Sequence, residues 1–229
     1  MTRLLAIETA SAACSAALWI DGEVEERHAL APRQHASLIL PMIESLLVEA
    51  DLAPGDLDAC AFGRGPGSFT GVRIAASVIQ GIAFAADLPV VPVSSLAALA
   101  GGCVRETGIP HILAALDARR GEVYWGRYRS SADGGVIADG DEQVCAPQDA
   151  ALPVDGDWAG AGSGWIAHGE VLTARAGERL VRVMPDLEPR AQDVATLAAR
   201  DYLAGGAVDA AAAIPVYLRN KVADEPKVR

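Results

Sequence analysis

The residues Gly63-Arg64-Gly65-Pro66-Gly67-Ser68-Phe69-Thr70-Gly71 are the segment best suited to chemistry. They lie between an apolar run ending at Phe62 and a helical apolar pattern running to Ala86. Glycines let a backbone approach a ligand closely. A helix N-terminus offers unpaired N–H groups and partial positive charge, which suits an anion. Gly65, Gly67 and Ser68 are therefore candidates for cradling a phosphate or a carboxylate. The same glycines also suit a tight strand-to-helix turn that needs close packing and no ligand. The pattern is neither a Walker loop nor GxGxxG, and spacing alone leaves both roles open.

Glu8 and Asp117 are the candidate acids. Each ends a strand-like run before a polar turn, so each could position a metal or a water beside a phosphate, or simply cap its turn. Their settings match: Leu4-Leu5-Ala6-Ile7-Glu8 and Leu113-Ala114-Ala115-Leu116-Asp117 lie 109 residues apart and begin the same order of strand, acid, polar turn and strand. This internal duplication favours treating the acids as a pair.

Other chemistries find little support. His28, His35, His111 and His168 have no partner histidine at helical spacing, so a histidine metal site would have to assemble from distant segments. Cys14, Cys60, Cys103 and Cys145 form no CxxC pair and read as reduced, mostly buried thiols. Neither GxSxG nor HExxH is present, and no Ser–His–Asp context is visible. Gly160-Ala161-Gly162-Ser163-Gly164 is a second glycine cluster, read as a plain loop.

The elements that position these residues follow from periodicity. Strands are expected at 4–7, 14–20 and 23–29, the last two joined at Asp21-Gly22. A helix follows at 35–50, where Pro41 is tolerable only in the first turn or at a kink. Then come a strand at 57–62, the glycine loop, a helix to Ala86, a strand at 90–93 and a helix capped by Ser94 or Ser95 and running through Ala100. Residues 107–110 read as a lobe boundary. Strands at 112–116 and 122–129 open the second half. The stretch 130–190 is rich in Gly, Pro and Asp, with short strands near Trp158 and at 180–183. An alanine-rich helix follows from Gln192 to Ala204. The organisation is α/β in two similar lobes, residues 1–106 and 107–190, with a helix at about 191–213 packing back on the first lobe and a tail at 214–229.

The helix after the glycine loop carries only a narrow polar stripe, Arg73, Ser77 and Gln80. An ordinary surface helix has a broad polar face, so this one is expected to be covered on two sides. The cover comes either from the chain's own fold, as for a central helix, or from a partner. The partner reading is favoured, with a pairing surface expected from Val72, Ala75, Val78, Ile79 and Ile82, together with Leu38, Met42, Ile43 and Leu46 on the preceding helix.

The net charge of −11 and the acidity of both halves argue against a chain that binds nucleic acid alone. Only the tail from Pro215 turns basic. Glu8 and Thr9 interrupt the N-terminal apolar stretch too early for a signal core, and no run reaches about 20 apolar residues, so a cytoplasmic protein without a membrane span is expected. Alanine is abundant, 45 of 229 residues, while aromatics make up 5%. Such a core lets elements pack closely but buries less area per residue than leucine or phenylalanine would.

Gly65-Pro66-Gly67-Ser68-Phe69-Thr70-Gly71-Val72-Arg73 resembles the hallmark of the TsaB (YeaZ) family. Ala6-Ile7-Glu8-Thr9, Asp117-Ala118-Arg119 with Glu122-Val123-Tyr124, and Pro215-Val216-Tyr217-Leu218-Arg219 support it, and together they span nearly the whole chain. The resemblance implies an actin-like ATPase (ASKHA) fold with two ribonuclease-H-like lobes. It implies a part in making N6-threonylcarbamoyladenosine on tRNA, as a non-catalytic accessory subunit that pairs with the related catalytic subunit TsaD and helps recruit the small ATPase TsaE. ATP would then be used by TsaE, no cofactor is expected in this chain beyond vestigial nucleotide binding, tRNA would be met only through the complex, and the lone chain would self-pair as a homodimer. TsaD-like chains carry a His-x-x-x-His metal motif after their glycine loop and helix. Here Ser95 and Leu99 stand at those positions, so no metal is expected there. An ATP-dependent phosphotransferase of the same fold, using Glu8, Asp117 and the glycine loop, is the alternative, followed by a metallopeptidase-like hydrolase.

Overall fold

A computed structural model describes residues 1–219. The first lobe is built from β1 (Arg3–Glu8), β2 (Ala13–Ile20), β3 (Glu23–Leu30), α1 (His35–Glu49), β4 (Ala59–Gly63), α2 (Phe69–Ala86), β5 (Val90–Val93) and α3 (Ser95–Thr107). The second contains β6 (His111–Arg119), β7 (Glu122–Ser130), β8 (Val136–Ala138), β9 (Gln143–Cys145), β10 (Trp158–Ala161), α4 (Gly164–Ala176), β11 (Leu180–Met184) and α5 (Ala191–Leu203). The two sheets share one topology: β3-β2-β1-β4-β5 in the first and β8-β7-β6-β10-β11 in the second, with β9 added beside β7. In both, the first three strands are antiparallel and the last two join in parallel. Mixed α/β architecture in two similar lobes is therefore confirmed, and β1 and β6 are equivalent.

Strand alternation explains the layering. In β1, Leu5 and Ile7 face a core made with α1 and α2, through Ile39, Leu46, Phe62 and Ile79. Ala6, on the opposite face, meets a second core shared by both lobes. In that shared core α5 lies against β1, β2, β4 and β5 of the first sheet, while α3 lies against β6 and β7 of the second. The two helices also pack on each other. Each lobe's last helix thus covers the other lobe's sheet. Ala6, Ala17, Ala61, Ala98, Ala114, Ala195 and Ala198 are all fully buried there, which gives the alanine excess its place: small side chains let two helices and two sheets close together.

Several expectations are revised. The Ser94 side chain caps α3, accepting from the N–H groups of Leu96 and Ala97, and the helix continues to Thr107 rather than stopping at Ala100. Pro41 lies inside α1 beyond its first turn. Pro41 and Ser37 are both exposed, so the carbonyl that proline leaves without its helical donor can turn to water. The cluster at 160–164 is no plain loop but the junction of β10 and α4. The C-terminal helix α5 ends at Leu203 rather than near 213; Val208 then pairs its backbone with Val90 at the edge of β5, and a single 3-10 turn follows at Ala210–Ala212. The tail is described only to Arg219; its remainder lies outside the described residues. Among the described residues one helix, α2, is long and apolar enough to cross a membrane by length and composition. Its inner side packs on β4, with Val72, Ala75, Ile79 and Ala83 buried.

Candidate functional site

A cleft of about 950 Å³ opens between the lobes. The glycine loop and the β1–β2 turn form one wall, the end of β6 and the start of α4 the other, and residues 216–219 cross it.

The glycine loop is held by the β1–β2 turn. The Ser68 N–H donates to the Ala10 carbonyl at 2.7 Å, and the Thr9 hydroxyl donates to the Gly71 carbonyl at 2.8 Å. A Cβ added at Gly63 would lie 1.9 Å from Glu8 Oε2, and one at Gly71 would lie 2.0 Å from the Thr9 carbonyl oxygen. Close packing alone therefore requires these glycines. Ser68 caps α2, accepting the Gly71 N–H at 3.3 Å. Gly67 and Ser68 line the cleft, whereas Gly65 is buried against Val72 and the Val216 carbonyl.

Glu8 does not line the cleft, which corrects its candidacy as a ligand-binding acid. It is fully buried beneath Gly63, where Oε1 accepts the Ala10 N–H at 2.6 Å and Oε2 accepts the Ser95 hydroxyl at 2.6 Å. Burial pushes its pKa up to about 7, against the lowering effect of those hydrogen bonds. Asp117 does line the cleft. Its backbone N–H donates to Ser163 Oγ at 3.1 Å, and its carboxylate pairs with Arg119 at 2.9 Å. The two acids hold equivalent strand ends, but the fold exposes one and seals the other.

Ser163 begins the second lobe's version of the glycine loop. Gly162 has a φ of +97°, and a Cβ there would meet the Ala115 carbonyl oxygen at 2.5 Å. Residues 160–164 thus repeat on β6 what 63–71 do on β1. The sequence signal is partial: an apolar run leads into the glycines, but the helix that follows is kinked at His168 and shows no clean period. Glu188 was missed entirely. It faces the cleft from the segment after β11, with one buried carboxylate oxygen lacking a partner among the described residues, and burial raises its pKa. Nothing in the Gly/Pro/Asp-rich stretch around it marks it out.

At the positions read against a two-histidine motif, Ser95 is committed to Glu8 and Leu99 is fully buried, with its Cδ2 close to Gly162. Leu99 serves the joint between lobes, while Ser95 ties α3 to β1 and to the glycine loop within the first lobe, its N–H donating to the Gly65 carbonyl at 2.9 Å. Among the described residues no three His, Cys, Asp or Glu side chains cluster to hold a metal.

The outer side of α1 and α2 is the other candidate site. Ile43, Leu46, Val72, Ala75 and Ile79 are buried in the chain's own core, so their assignment to a partner interface is corrected. Leu38, Met42, Val78 and Ile82 are half-buried at its margin. The exposed large apolar residues there are Leu40 and Val48 on α1 and Phe84 on α2, with Phe84 84% exposed, whereas the exposed Phe69 lines the cleft.

The family model described as "TsaD: tRNA N6-adenosine threonylcarbamoyltransferase" matches residues 28–227. The chain is 41% identical to the tRNA threonylcarbamoyladenosine biosynthesis protein TsaB of Escherichia coli, over 96% of each chain. The chain belongs to the TsaB (YeaZ) family. The Haemophilus influenzae TsaB is 39% identical, over 96% of this chain and 94% of its own length. The solved structure of YeaZ from Pseudomonas aeruginosa superposes with a TM-score of 0.89 at 46% identity, covering 95% of this chain and 100% of that one. This TsaB-family chain thus shares the fold of that solved structure over nearly its whole length.

Proposed function

We propose that this chain is a non-catalytic pairing subunit in the cytoplasmic synthesis of N6-threonylcarbamoyladenosine on tRNA, working beside TsaD and TsaE. Its likeness to the E. coli and H. influenzae TsaB proteins over nearly full length supports the pathway. One observation carries the non-catalytic role: the residues at the two-histidine positions are spent on architecture, Ser95 on the buried Glu8 and Leu99 on the lobe joint, which leaves Glu8 sealed from the cleft. The exposed Leu40, Val48 and Phe84 on the adjacent helices α1 and α2 support pairing, since exposed large apolar side chains suit a contact surface. The net charge of −11 suits a subunit that leaves tRNA contact to its partners.

Gel filtration of this chain mixed with TsaD is the test. Co-elution is expected, and Val78→Asp with Ile82→Asp should abolish it while leaving the circular dichroism spectrum unchanged. Two folded proteins eluting separately, or transfer of the threonylcarbamoyl group by this chain without TsaD, would sink the proposal.

A further inference from the structure

After α5 the chain returns along the first lobe. The N–H of each of Val90 and Val208 donates to the other's carbonyl at 2.8 Å, residues 210–212 turn against α2, and Ala213 is fully buried. From Ile214 the character changes, and no residue from 214 to 219 is fully buried. The segment crosses the cleft mouth on three kinds of contact. The Val216 N–H donates to the Arg64 carbonyl at 2.8 Å. The Tyr217 ring lies 5.9 Å from the Phe69 ring, and the Arg73 guanidinium sits 3.3 Å from the Phe69 centroid and 5.0 Å from that of Tyr217. Arg219 Nη2 then reaches the second lobe, donating to the Ala118 carbonyl at 3.0 Å and to the Glu122 carboxylate.

The lobes are therefore joined in two unlike ways. At the back, α3 and α5 share a fully buried core. Across the mouth, six partly or fully exposed residues link Arg64 and Phe69 of one lobe to Ala118 and Glu122 of the other. Segments with few buried apolar contacts and exposed hydrogen bonds open at low cost, whereas buried helix contacts open only with the whole fold. A guanidinium bound to both a carbonyl and a carboxylate still fixes geometry well. The geometry points to residues 214–219 as a releasable strap that fastens the two lobes across the mouth of the cleft, with the α3–α5 joint as its hinge. The strap also lines the space between Ser68 and Asp117, so any occupant of that space competes with it.

The test is a distance distribution between spin labels on the two lobes, at Ser37→Cys on α1 and Thr173→Cys on α4. Both positions are exposed. A Cys145→Ser background leaves only the buried Cys14, Cys60 and Cys103. The otherwise native chain should give one narrow peak. Tyr217→Ala with Arg219→Ala should shift it to longer distance and broaden it, with unchanged far-ultraviolet circular dichroism. Should that double variant lose its fold, Arg219→Gln is read instead and should shift the peak in the same direction. A peak unchanged in the folded variant would overturn the strap.

Discussion

Glu8 shows how a residue of chemical type can be spent on architecture. Its carboxyl is fully buried, and its pKa of about 7 lies above the 4.5 of the ordinary side chain. Below pH 4.5 both folded and unfolded chains hold the proton. Between 4.5 and 7 the folded chain keeps it while the unfolded chain releases it, so stability falls as pH rises. Above 7 both are ionised and the loss is complete, on the order of 3 kcal/mol. Glu8→Gln should flatten this fall in urea titrations between pH 4 and 9, leaving the similar but smaller slope from Asp193, whose pKa burial lifts to about 6 despite the Arg105 guanidinium. Ser95→Ala should steepen it. Removing the hydroxyl leaves Oε2 buried without its donor, at a cost of about 1–3 kcal/mol that is felt most when Glu8 is charged. A pH profile unmoved by both substitutions would contradict this account. The sequence placed Glu8 correctly at a strand end. It could not show that Gly63, 55 positions away in the chain, lacks a side chain so that this carboxyl can sit beneath it.

Among the elements, α2 does two jobs. Val72, Ala75, Ile79 and Ala83 bury one side in the first lobe, while Arg73, Ser77, Gly81 and Phe84 lie outward. Periodicity revealed a helix apolar on most of its circumference. It does not say which apolar side meets the sheet, so a core residue such as Ile79 fits an interface pattern equally well. Gly81 separates the two demands. Nothing lies within 4 Å of a Cβ added there. Gly81→Ala should therefore gain about 1 kcal/mol from helix propensity alone, seen as a higher denaturant midpoint with unchanged slope. A loss of stability would mean that the outward side of α2 is not open. Strands with clear alternation and the long helices were legible in the sequence. α4 was not: His168 breaks its helical backbone at φ −138°, Gly169 follows, and its buried residues are spread over Gly164, Trp165, Leu172 and Ala176. A helix with a kink and so narrow a buried stripe leaves no clean 3.6-residue period.

For the whole molecule, the duplication explains the topology, but the exchange of terminal helices explains the unity of the fold. The N-terminus of α5 is satisfied by side chains of the other lobe: Ser15 Oγ accepts the Ala191 N–H at 2.9 Å, and Glu26 Oε1 accepts the Gln192 N–H at 3.0 Å. Arg105 of α3 clasps the buried Asp193 of α5. A cut at the lobe boundary seen in the sequence would therefore pass between each sheet and the helix that covers it. Residues 1–106 would keep α3, whose Leu96 and Leu99 belong against the second lobe, and would lose α5, leaving Ala6, Ala17, Ala61, Val91 and Val93 of the first sheet bare. A sheet with one uncovered apolar face does not make a stable layer. Residues 1–106 alone should thus melt without a cooperative transition. Residues 1–94 joined by a flexible linker to 189–213 restore the native cover, with Ser15 and Glu26 at the helix start, and should melt cooperatively in circular dichroism. Cooperative melting of the first fragment would show that each lobe stands on its own helices, and the exchange would then be decoration on two independent units rather than the reason they form one core.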